Sequence, residues 1–249
     1  MVNPIDRLSS FSYAVKKYYG FDKDELKGMA VAIVIIAFIV SFDEWGVDKF
    51  DLMYGLRNFF NAILIVLLSF IVYQTAQRFT AIKSGFKAEW RIWIYGLLIG
   101  LVLAFVSRGK LWFLAPGGVI VYHMAGHRIC SFRYGLNYWP LGLSAIMGPL
   151  ACAMLAIIFK ILGAALPANI LILKAMKINI WLAIVNLLPI PPLDGSNMFF
   201  ASRMFYIFTF ALVVGTMISL IFFNVLISLL IGLVAGFILW QVLYWTLEK

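Results

Sequence analysis

Acidic side chains are almost missing from the last two-thirds of this 249-residue chain. Between Glu89 and Glu248 a single carboxylate occurs, Asp194. Charge of either sign is scarce, at 12% of residues, against 64% apolar residues and a mean hydropathy of +0.98. Those values exclude a soluble globular domain and imply a polytopic membrane protein. Only two cysteines are present, Cys130 and Cys152, which excludes a disulfide framework; both sit in apolar surroundings and read as packing residues. The net charge of +9 is explained by the positive-inside bias and anionic headgroups, so no nucleic-acid partner is implied.

What is abundant is long apolar runs. Gly28 to Phe42, Asn58 to Tyr73, Ile92 to Val106, Leu141 to Leu162, Ile178 to Leu188, Met204 to Phe223 and Val225 to Leu247 follow one another with charged clusters between. They predict an all-α polytopic membrane fold with six or seven transmembrane helices. The run 92–106 is short enough either to cross or to enter and return. Around 112–140, Pro116-Gly117-Gly118, a Val-Ile-Val-Tyr stretch, Gly135, Asn137 and Pro140 predict turns and a short strand or hairpin region. The chain reads as one membrane domain over 1–249. It comprises an N-terminal segment 1–27, a core 58–200 and a C-terminal helical pair 204–247. The first 27 residues hold five basic side chains and 78–91 hold four, whereas 43–57 holds four acids. That asymmetry places the N-terminus in the cytoplasm. The N-terminal segment lacks the pattern of a cleaved signal peptide and is expected to stay.

Two stretches carry candidate chemistry. His123-Met-Ala-Gly-His127 holds the only two histidines, spaced so that one helix face presents both imidazoles to zinc, but Met124 stands where a general base belongs. The second is NLLPIPPLDG, Asn186 to Gly195. A carboxylate at membrane depth is costly, so Asp194 is expected to face a polar cavity, a metal or a partner. Pro189, Pro191 and Pro192 unwind the chain beside it, and broken backbone is tolerated only where protein or a cavity encloses it.

NLLPIPPLDG resembles the second motif of the site-2 protease family, the intramembrane zinc metalloproteases, in which Asn, Pro, Asp and Gly stand as Asn186, Pro189, Asp194 and Gly195 do here. Gly148-Pro149 is similar to the pair that opens the family's middle core helix. Pro116-Gly117-Gly118-Val119 is similar to the strand between the first motif and that helix. The resemblance spans roughly residues 70–200. It implies a helical core around a membrane-embedded site for hydrolysing transmembrane substrates, with Asp194 as a zinc ligand.

The family's first motif, His-Glu-x-x-His with a small residue at +4 and Gly at +8, finds two frames. Tyr73-Gln-Thr-Ala-Gln77, followed by Ala81 and Gly85, precedes the Pro-x-Gly-Gly strand as the family order requires. His123 to His127, followed by Ser131 and Gly135, comes after it. In the first frame Tyr73 and Gln77 stand where zinc ligands belong and Gln74 where the base belongs. No catalytic residue and no metal is then expected, and Tyr73 and Gln77 can hydrogen-bond across to Asp194. That frame implies an inactive protease relative that binds membrane partners or transmembrane segments, or serves as a structural or regulatory subunit. The second frame implies a zinc-dependent intramembrane protease using His123, His127 and Asp194. A third reading is a transporter or channel-like protein with Asp194 lining a polar path.

Overall fold

The computed structural model describes residues 4–46, 50–123, 138–166 and 169–247. Among them the elements run α1 (Pro4–Tyr18), α2 (Lys23–Val40), α3 (Leu52–Lys83), β1 (Phe86–Ile92), α4 (Ile94–Val106), β2 (Gly117–His123), α5 (Tyr138–Ala165), α6 (Ile170–Asn186), α7 (Asp194–Ala201), α8 (Arg203–Phe222) and α9 (Val225–Leu247). The fold is all-α and polytopic with a small two-stranded sheet. Four helices, α3, α5, α8 and α9, have the length and apolarity to cross a bilayer. Helices α2 and α6, at 18 and 17 residues, lie at the lower limit for a crossing. Helix α4, with 13 residues, is about 20 Å long, short of the roughly 30 Å of a hydrocarbon core.

Helix α3 is the central element and exceeds the apolar run 58–73 at both ends. Asp51 caps its start, its carboxylate accepting from the amides of Met53 and Tyr54. Its end is set by Gly85, whose φ of +82° is open to glycine at little cost, with the Gly85 amide returning to the Ile82 carbonyl. Helices α5 and α6 pack against each other and against α3, and α8 and α9 form the C-terminal pair.

The expected strand region is present only in part, because 124–137 lies outside the described residues. The partner of β2 is not a neighbour within 112–140 but β1, reached across α4, antiparallel with Phe86 opposite His123 and Ile92 opposite Gly117. Helix α3 ends at Lys83, and the chain continues as strand β1. After Gly85 it alternates, and Phe86, Ala88 and Trp90 turn inward. Phe86 and Ala88 pack with Val119, Val121, Ala81 and Ala145, seating the sheet on α3 and α5.

A buried ion pair locks the entry of α2 to this core. Arg78 of α3, 1% exposed, pairs with Glu25 and donates to the carbonyls of Tyr19 (3.2 Å) and Gly20 (2.9 Å). Its guanidinium lies 4.0 Å from the Phe21 ring centroid. Glu25 accepts in turn from the Trp90 amide at 2.8 Å, so one carboxylate ties α2, α3 and β1 together.

Candidate functional site

Tyr73 and Gln77 stand four apart on α3 and so share a face. Both reach the same atom, Oδ2 of Asp194: Tyr73 through its hydroxyl, Gln77 through Nε2 at 2.7 Å. The other carboxylate oxygen, Oδ1, accepts from the Val119 amide at 2.9 Å. Asp194 is fully buried and begins α7, directly after the proline-broken segment. Three donors from two elements thus converge on one carboxylate, which satisfies a charge that an apolar interior would otherwise expel.

Local sequence explains how each donor is aimed. Pro149 lies inside α5 and has no amide hydrogen, so the carbonyl four residues earlier, Ala145, is released from the helix ladder. That carbonyl accepts the second hydrogen of Gln77 Nε2 at 2.9 Å. Gly148, beside it, leaves room for the Tyr73 ring: a Cβ there would lie 2.3 Å from Tyr73 Cε1. Gly148→Ala is accordingly expected to displace Tyr73 from Asp194 and destabilise the fold by about 1–3 kcal/mol. Thermal unfolding in detergent checks this, and an unchanged midpoint would mean that the ring gives way freely.

The strand side is built as tightly. A Cβ on Gly118 would meet the Pro192 carbonyl at 1.9 Å, so glycine there lets β2 abut the broken segment and bring Val119 onto Asp194. Gly195 has the same role toward α6, with a Cβ only 2.0 Å from the Leu187 carbonyl oxygen. Asn186 is buried and donates to the carbonyls of Leu182 (2.8 Å) and Leu114 (3.2 Å), tying the end of α6 to the segment after α4. Pro189 sits in the turn that follows.

A protein of Methanocaldococcus jannaschii carrying the name "Putative zinc metalloprotease" is 30% identical over 183 residues, covering 72% of this chain and 85% of that relative. The chain belongs to the family of that protein. No family model matches the chain, and no solved structure matches it.

Structural and catalytic zinc takes imidazole, thiolate or carboxylate groups, at least three from the protein. Here the carboxylate is ringed by a phenol, a primary amide and a backbone amide, all of which donate to it. Among the described residues, the donor set around Asp194 does not fit the ion. Among the described residues no three His, Cys, Asp or Glu side chains stand together.

The structure brings Tyr73, Gln77 and Asp194 into contact, with Gly148, Pro149, Asn186 and Gly195 buried beside them, whereas Pro189 is exposed in the turn before Asp194. Gln74 is buried, 1% exposed, on the adjoining face of α3. His123 is the last residue of β2, four positions beyond Val119, hence about 13 Å along the strand. His127 lies outside the described residues. Glu89 of β1 is engaged by Lys87 at 2.8 Å, and this hydrogen bond raises the lysine's pKa.

Three contributors escape sequence reading. Asn197, one turn into α7, donates to the Val119 carbonyl at 3.2 Å, so both backbone groups of Val119 on that edge are held by α7. Arg78 and Glu25 brace the helix that carries Tyr73 and Gln77. The charged pair had a signal: an arginine next to Gln77 at the end of an apolar run needs a partner. Asn197 had none.

Proposed function

We propose that this membrane protein is a site-2-protease-like chain without protease activity, whose reactive centre is replaced by a hydrogen-bonded plug. It acts by binding other membrane proteins or transmembrane segments, as a regulatory or structural subunit. The observation that carries this reading is the convergence of Tyr73 and Gln77 on Asp194 Oδ2. The two α3 positions facing the carboxylate hold a phenol and an amide, and neither binds zinc well as a neutral group. The position between them that a general base would take holds Gln74, whose amide has no proton-accepting nitrogen. The order of the other landmarks supports the same register: Pro116-Gly117-Gly118, then Gly148-Pro149, then Asp194.

The name of the M. jannaschii relative favours a second reading, a zinc-dependent intramembrane protease. In this chain it would have to draw on His123, His127 and Asp194, with a base not yet found. One experiment separates the two. Purified chain, loaded with excess zinc and desalted, is analysed for metal and incubated with a transmembrane peptide substrate. Under the proposed reading it retains no stoichiometric zinc and cleaves nothing. Retention of one zinc per chain that His123→Ala and His127→Ala abolish, or cleavage lost in Asp194→Asn, establishes the second.

A further inference from the structure

Next to the Asp194 contacts lie two amides that each carry an atom with no hydrogen-bond partner among the described residues, Nε2 of Gln74 and Oδ1 of Asn186. Gln74 is 1% exposed and Asn186 fully buried. The orientation of Asn186 is settled by its two donated hydrogen bonds to the Leu114 and Leu182 carbonyls, which leave its oxygen facing elsewhere. Both residues line one cavity of about 10 Å³, closed by Ser69 and Tyr73 and by the apolar walls of Phe70, Trp90, Pro116 and Leu182. The Ser69 hydroxyl donates to the Ile65 carbonyl at 2.9 Å and keeps its lone pairs.

Complementary polar atoms at membrane depth do not stay unpaired without cost, since lipid offers no substitute partner. The cavity is at the lower limit of room for one water molecule, and no larger polar group fits. We propose that this cavity is a one-water binding site. The water accepts a hydrogen bond from Gln74 Nε2 and donates to Asn186 Oδ1 and Ser69 Oγ, the three bonds that buried waters typically make. It joins the middle of α3 to the end of α6, the point where the Asn-Leu-Leu-Pro turn begins. The site stands on these contacts whether or not the chain hydrolyses anything.

The test is a density map of the full chain in detergent or nanodisc at a resolution that shows ordered water. The expected result is one peak within hydrogen-bonding distance of Gln74 Nε2 and Asn186 Oδ1. Gln74→Met, of similar length but without the donor, is expected to lose the peak while Tyr73 and Gln77 keep their contacts to Asp194. A wild-type cavity without density overturns the proposal, and so does a peak that persists in Gln74→Met. The wild-type map decides the question even if the variant does not fold.

Discussion

Replacing Tyr73 and Gln77 together by His is expected to let the chain bind about one zinc ion per molecule at this site, with Asp194 as third ligand. The two native side chains already end at one carboxylate oxygen, so two imidazoles starting from the same backbone positions are directed to the same point. Their removal also frees Asp194 of two donors that compete with a cation for its lone pairs. Metal analysis after desalting gives the stoichiometry, and Asp194→Asn in the double-His background is expected to lower the affinity by a factor of ten or more. Adding Gln74→Glu supplies a carboxylate for proton transfer, a contribution of about 10²–10⁴-fold in rate where geometry allows. If the double variant folds and still takes no zinc, α3 is not the helix on which the family's metal site would be assembled. The register that places Tyr73 to Gln77 opposite Asp194 as a degenerate motif then fails.

Arg78→Ala is expected to be the most damaging single substitution outside the site, at about 3–5 kcal/mol. It leaves Glu25, whose side chain is 5% exposed, charged, buried and without its cation. It also strips the Tyr19 and Gly20 carbonyls of their donor. Arg78→Lys is expected to recover only part of the loss, because one ammonium group cannot span the carboxylate and two carbonyls that the planar guanidinium reaches. Thermal unfolding with limited proteolysis at the α1–α2 connection reads the effect. The double variant Arg78→Met with Glu25→Leu is expected to be more stable than Arg78→Ala, since removing both charges also removes the unpaired one. A wild-type midpoint for Arg78→Ala would mean that water reaches Glu25 and that the pair does not brace α3.

How legible these features were depends on the distance over which each is encoded. The runs that became α3, α5, α8 and α9 were plain, because bilayer thickness translates directly into apolar length. The strand β1 was legible in principle, since Phe86, Ala88 and Trp90 alternate with Lys87, Glu89 and Arg91. The four basic residues of 78–91 mark charge sidedness instead, and only Gly85 marks where α3 ends. The pairing of β1 with β2 leaves no local trace, as the partner lies beyond α4. Gly148-Pro149 could be singled out as a motif without revealing its physical task, which is to free the Ala145 carbonyl for Gln77 and to make room for Tyr73.

By itself, the amino-acid order determined that this chain lives in a bilayer and that one lone carboxylate had to be satisfied within the protein. These follow from solvation, which acts residue by residue. Which groups satisfy Asp194 was decided only when α3, β2 and α7 came together. Hydrogen-bond partners 117 and 75 positions apart in the chain are chosen by packing, and packing depends on every intervening turn at once.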